Sequence, residues 1–424
     1  MITLIEANRF RCLKYVKQPL GNFQIMVGPN ASGKTTFLDV MAFLGQLVSD
    51  GLEAAVGNRT RNFQDLLWAR KGHPFELAIE AKIPEDRRKL LNEPRFDTIR
   101  YEVSVGLTEK NQEMAILAEK VLLKIGGIEK LSDVQRELFP DPPTGPKTIL
   151  TGKSVKGDKS VRGVIKKVPD GNDNFYSEIF PDKGKGWAPS FKLGPLKSAL
   201  GNMPADESKF PVSTWLRSLL TTGEQQFILN SLLIRKASPP GQVHGFKPDG
   251  SNLPWVIQKL KDQHPDSFKG WIKHLQTALP DIRDIRTVVR EDDRHRYLVV
   301  QYAGGLDVPS WMASDGTLRL LALTLPAYLP DFSGVYLIEE PENGIHPRAV
   351  ETVYQSLSSV YGAQILVATH SPVLLSMVDA KNVLCFAKTP EGATDIVSGD
   401  RHPKLKQWKG EINLGTLYAA GVLG

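Results

Sequence analysis

Nine residues constrain this chain more than any others. Gly28-Pro29-Asn30-Ala31-Ser32-Gly33-Lys34-Thr35-Thr36 fits the pattern G-x-x-x-x-G-K-[ST]. Phe23-Gln24-Ile25-Met26-Val27, just before it, is apolar enough to read as a strand. Phe37, Leu38, Met41, Leu44 and Leu47 recur at helical spacing after it, which predicts a helix from about residue 33 to 48. Strand, glycine turn and helix are the context this pattern needs. The glycines let successive backbone N–H groups point inward as an anion nest, and the helix start adds partial positive charge. Lys34 is expected to reach β- and γ-phosphates, the Thr35 hydroxyl to ligate Mg2+, and Thr36 to contact the α-phosphate.

A second element lies some 300 residues on. Val335-Tyr336-Leu337-Ile338 reads as a buried strand and ends in Glu339-Glu340, followed by Pro341-Glu342-Asn343. Carboxylates at a strand tip beside a phosphate loop can hold a metal and orient or deprotonate an attacking water. Glu339 is assigned to the metal and Glu340 to the water. Ser314 and Gly316, in Ala313-Ser314-Asp315-Gly316-Thr317, precede an apolar helix; this is either a second phosphate-binding helix start or an ordinary cap. Gln364 to Ala368 reads as the next strand, and it places His370 at a strand terminus.

Together, in this order, the four elements resemble the ABC-type ATPase heads of the SMC, RecF and OLD group. Asn8-Arg9-Phe10-Arg11-Cys12-Leu13-Lys14 is similar to that group's opening strand and turn. The resemblance implies an α/β P-loop NTPase fold: an ABC-type ATPase head with an antiparallel β subdomain, a parallel sheet flanked by helices, and an inserted middle region. It implies ATP and Mg2+ as cofactors, and a homodimer or higher even oligomer in which Ser314 and Gly316 of one subunit contact the γ-phosphate held by the other. It implies that His370 senses that phosphate. A glutamine beside the metal belongs to the same pattern, with Gln64 as the candidate. The signature lacks the leucine and glutamine of the transporter form, and Glu339 stands where aspartate is commoner.

The sequence divides as an N-terminal lobe over 1–125, a middle region over 126–286 and a C-terminal lobe over 287–424. In the first lobe, runs over 2–7, 75–83, 99–107 and 114–125 read as an antiparallel meander. Helical sequence resumes over about 212–234. In the last 120 residues helix and buried strand alternate, the pattern of a parallel sheet. The middle carries Lys147, Lys153, Lys156, Lys159, Arg162, Lys166 and Lys167 against one acid, Asp158. That +6 equals the net charge of the whole chain, which has 53 basic and 47 acidic residues. The run from Lys147 to Lys167 is a candidate nucleic-acid contact or a solvated loop.

Composition removes several classes. Two cysteines, Cys12 and Cys385, cannot make a disulfide framework. No apolar run is long enough to span a bilayer, and the N-terminus does not read as a signal peptide, so a cytoplasmic protein without membrane contact is expected. No sustained heptads support a coiled-coil arm. Only 54 residues follow His370, without an Asp-x-Asp pair, so a nuclease domain of the OLD kind is not expected within this chain. The resemblance then points to stand-alone ATPase subunits of bacterial anti-phage defence, which work with a separately encoded effector such as a Toprim-like nuclease. Residues 408–418 resemble the tail of such subunits, or else form a docked terminal element. Alternatives are a RecF- or SMC-like DNA repair ATPase, a P-loop small-molecule kinase, or a scaffold that binds ATP without turnover.

Overall fold

The computed structural model describes residues 1–126, 136–152, 159–168, 171–179, 189–242, 245–405 and 413–423. Its centre is a six-stranded sheet ordered Glu224–Phe227, Gly334–Glu339, Ala363–Ala368, Phe23–Val27, Val383–Lys388, Thr394–Ser398. All neighbours are parallel except the last pair. The strand that opens the phosphate loop thus lies between two strands from the end of the chain, so both ends build one sheet.

These strands are apolar on both faces, and their period of two divides the core. Met26, Val335, Leu337, Leu366 and Phe386 face one cluster, with the helix Lys34–Asp50 and the antiparallel sheet. Ile25, Val27, Tyr336, Ile338, Val367 and Cys385 face the other, with the helices Leu253–Gln263, Pro265–Ala278, Asp315–Thr324 and Pro347–Ser358.

The antiparallel sheet is larger than the expected meander. Leu13–Pro19, Ile2–Phe10, Phe75–Lys82, Thr98–Leu107 and Met114–Lys124 continue into Val161–Lys167, Asp173–Phe175 and Ser190–Phe191. One face carries Glu6, Glu76, Glu80, Arg100 and Glu102, all buried. Residues 146–151 cover that face. Glu76 accepts from Ile149 N at 2.8 Å, Glu102 accepts from Thr151 N at 2.7 Å, and Arg100 donates to Ile149 O at 3.0 Å. Buried charges of this kind persist only when paired and hydrogen-bonded, and Arg100 also meets Glu6 at 2.8 Å and Glu102 at 2.9 Å.

Two readings change here. Residues 212–234 are not one helix: Pro211–Ser218 is helical, Leu219–Gly223 is a single wide turn, Glu224–Phe227 is a strand, and Ser231–Arg235 is a short helix. Pairing with Gly334–Glu339 overrides the local helical preference. The basic run is not one cationic surface either. Arg162 and Lys167 point inward from their strand; Arg162 donates to Ser177 O at 2.7 Å and Lys167 pairs with Asp173 at 3.1 Å. Lys147, Lys159 and Lys166 are exposed, while Lys153, Lys156 and Asp158 lie outside the described residues. Among the described residues no helix is long and apolar enough to cross a membrane.

Candidate nucleotide site

The phosphate loop is held open from below. Gly28 has φ 149°, and a Cβ there would lie 2.2 Å from Phe386 O. Gly33 has φ 106°, and its Cβ would lie 2.2 Å from the Thr394 hydroxyl. Only glycine meets both demands at either position. Thr394 Oγ1 donates to Ser32 O at 2.9 Å, pinning the crest of the loop. Gly33 starts the helix Lys34–Asp50 without any side-chain cap. The first N–H groups of that helix are therefore left for a ligand. Ser32 Oγ is buried with no hydrogen-bond partner, a further donor for a phosphate oxygen.

Lys34 folds back on its own loop, donating to Gly28 O at 2.8 Å and Pro29 O at 3.0 Å. Burial pulls its ammonium below the ordinary lysine value, opposed by Glu340 and then Glu339. Thr35 Oγ1 donates to Glu339 Oε2 at 3.1 Å, so residues 304 positions apart meet. Glu340 follows with φ 47°, a left-handed backbone that a non-glycine residue adopts at a cost of ~1–3 kcal/mol. Its N–H donates to Ala368 O at 2.8 Å, which fixes the turn. Glu342 accepts from Thr369 Oγ1 at 2.6 Å and from His370 N at 3.1 Å, tying the carboxylate turn to the histidine strand.

Asn30, Ala31, Ser32, Gly33, Lys34, Thr35, Thr36, Glu339, Glu340 and His370 all line one cleft of about 490 Å³. Gly28 and Pro29 lie beneath it through their carbonyls. That volume is within the ~300–1,000 Å³ of small-molecule sites. Ser314 and Gly316 do not line it. Ser314 caps the helix Asp315–Thr324, accepting from Thr317 N at 3.1 Å. A Cβ on Gly316 would lie 2.9 Å from Gly344 O, so the two turns are in close contact. Leu306, Trp311 and Met312, just before the cap, are exposed apolar side chains, and Leu232 lies on the short helix packed against Asp315–Thr324.

Several residues escaped the sequence reading. Gln226 Nε2 reaches Glu339 Oε1 at 3.4 Å from the neighbouring strand. Gln64 instead is exposed on the short helix Phe63–Leu66 and does not line the cleft. Arg11, Arg70 and Lys388 bring positive charge to the cleft. Arg11 and Arg70 both have positive φ, 51° and 53°. The only signal for Arg11 was its place in the opening turn; Arg70 and Lys388 gave none.

The donor set suits a hard cation with a polyphosphate. Among the described residues no group of three or more His, Cys, Asp or Glu side chains could hold a metal. Mg2+ needs only one or two protein oxygens, with phosphate and water completing its shell. Thr35 and Glu339 fit that requirement.

A nest, an uncapped helix start and strand-tip carboxylates around one cleft define a P-loop NTPase. Residues 187–376 match the family model described as "AAA domain, putative AbiEii toxin, Type IV TA system". The fold is similar to a solved SMC head bound to the C-winged helix domain of ScpA, at 13% identity and TM-score 0.50, covering 93% of this chain and 96% of that one. An SMC head from Thermotoga maritima aligns at 10% identity and TM-score 0.40, covering 94% and 98%. Comparison with the curated proteins finds no match. The chain has the P-loop NTPase fold of an SMC head.

Proposed function

We propose that this protein is an ATP-hydrolysing switch, in which two copies close on ATP and Mg2+ and thereby control a separate effector. The observation that carries the reading is the division of the site. Lys34, Thr35, Glu339, Glu340 and His370 converge on one cleft, while Ser314 lies off it beside exposed apolar side chains. A cleft complete for nucleotide but lacking its signature calls for a second copy to supply Ser314 and Gly316.

Lys34 leaves the loop carbonyls and meets the β- and γ-phosphates, which return the positive charge its burial disfavours. Thr35 and Glu339 hold Mg2+, which when bound neutralises charge developing on the phosphates. Gln226, beside Glu339, orients that carboxylate. Glu340 holds the attacking water and takes its proton, and His370 faces the γ-phosphate from the next strand. Closure and reopening of the two copies bind or release the partner.

The matched family's description, which names a toxin of a toxin–antitoxin system, supports a setting in defence alongside a partner; we take that partner to be a nuclease-type effector. The ScpA domain on the SMC head supports the idea that such heads carry partner proteins. Exposed Lys147, Lys159 and Lys166 remain as phosphate contacts for a nucleic acid. Glu340→Gln tests the chemistry. It should bind ATP normally, hydrolyse it about 10²-fold more slowly or worse, and accumulate as closed dimers on size exclusion. Unchanged phosphate release in that variant assigns the base elsewhere.

A further inference from the structure

The C-terminal helix Leu414–Ala419 has only six residues, yet it is seated with unusual closeness. Asn413 caps it, accepting from Thr416 N at 2.8 Å. A Cβ on Gly415 would lie 2.0 Å from Pro372 O, so glycine alone permits the helix to rest on Pro372–Leu375. That seat carries Tyr418 to the back of the nucleotide cleft. Its hydroxyl lies 3.0 Å from His370 Nδ1 and 3.4 Å from Gly28 O.

A tyrosine hydroxyl has one proton to give. Gly28 O accepts from Lys34 Nζ at 2.8 Å while the lysine rests on its loop, and it is the farther of the two from the Tyr418 hydroxyl, at 3.4 Å. His370 Nδ1 is the nearer acceptor of the two. We infer that Tyr418 donates to His370 Nδ1 and thereby holds the imidazole in the Nε2–H tautomer. A neutral imidazole whose Nδ1 accepts must carry its proton on Nε2. Nε2 has no hydrogen-bond partner among the described residues, and the ring lines the cleft. The ring therefore offers the cleft a donor, which a phosphate oxygen needs, rather than a lone pair that would repel it. Tyr418 itself does not line the cleft. It is a positioning residue, acting through His370. This role rests on the reading that the cleft holds ATP.

Tyr418→Phe keeps the ring and removes the hydroxyl. Nitrogen-15 spectra of histidine-labelled protein report the tautomer directly, with His370→Gln identifying the His370 signals. The wild type should show Nε2–H, and Tyr418→Phe a mixture of tautomers. A wild-type Nδ1–H signal, or shifts unchanged in Tyr418→Phe, overturns the inference. In steady-state assays Tyr418→Phe should lower kcat about tenfold, the scale of one hydrogen bond, and leave KM for ATP unchanged. In the His370→Gln background it should add nothing. An equal drop in that background means that the helix merely supports the fold, and the inference falls. Should the wild type not hydrolyse ATP, the ATPase reading fails, while the spectra still decide the role of Tyr418.

Discussion

Three helices of this molecule begin in different ways, and the difference separates binding from support. Lys34–Asp50 starts on Gly33 with no side-chain cap. Asp315–Thr324 starts on Ser314, whose own hydroxyl accepts from Thr317 N. Pro211–Ser218 is capped from a distance: the buried Glu178 accepts from Val212 N at 2.7 Å and Ser213 N at 2.8 Å. Every helix start leaves orphan donors. Where a carboxylate or hydroxyl satisfies them, the helix is secured. Where nothing does, and a lysine and two carboxylates converge on the same cleft, the donors await an anion.

The largest effect should come from the open helix start. Lys34→Ala removes the only ammonium that, among the described residues, hydrogen-bonds the phosphate-loop carbonyls. ATP affinity should fall about 10²-fold or more, the scale of charge-assisted hydrogen bonds. Isothermal titration with a non-hydrolysable ATP analogue measures this. Affinity within a few-fold of wild type would mean that the open helix start binds something other than phosphate. Ser314→Arg comes next, placing a bulky cation at the closed helix start. Monomer binding of ATP should persist, while turnover falls about 10²-fold, as when a transition-state donor is lost, and ATP-driven dimers disappear. Full turnover in that variant removes the trans role of Ser314 and leaves a self-contained site.

The open start was legible because its information is local. Gly28, Gly33, Lys34 and Thr35 stand within eight residues, between a strand and a helix that the sequence marks clearly. Glu339 and Glu340 were legible because they end an apolar strand. Gln226 was not: Glu-Gln-Gln-Phe is short and polar, and only pairing with Gly334–Glu339 makes it a strand. Tyr418 ends the tail segment 408–418 that the sequence marks, but its contact with His370 spans 48 positions and nothing in that segment announces it. The buried face of the antiparallel sheet misleads in the opposite way. Glu76, Glu80, Arg100 and Glu102 alternate with apolar residues as solvent-facing charges would, and only the cover by residues 146–151 hides them. The cap on Pro211–Ser218 was equally hidden, since Glu178 lies 34 positions from Val212.

That distant cap should be felt as pH dependence. Burial raises the Glu178 carboxyl from 4.5 to about 7, against the pull of Ser213 and the two backbone donors. Burial raises Glu224 likewise, to about 7. Between the ordinary value and about 7, the folded chain holds protons that the unfolded chain has released. Stability should therefore fall as pH rises through that window, by on the order of 1 kcal/mol per pH unit for each group, and level off above it. Glu178→Gln and Glu224→Gln should each flatten the slope of urea midpoints measured from about pH 5 to pH 7. A slope unaltered in both variants would mean that neither carboxyl holds a proton in the fold.

The smallest effect separates the two duties of Ser314. As a cap alone, its hydroxyl contributes ~1 kcal/mol. Ser314→Ala should then lower the melting temperature by no more than about 2 °C in a chain this long. Ser314→Asp retains an N-cap acceptor and suits the positive helix start. The melting temperature of that variant should match the wild type. Across a closed dimer, however, its carboxylate would face the γ-phosphate of the partner, and like charges repel. A variant that melts normally, binds ATP as a monomer and yet neither dimerises nor turns over places Ser314 at a phosphate in trans. One that melts normally and turns over normally leaves Ser314 as a cap, and makes the second helix start equivalent to the one that Glu178 closes.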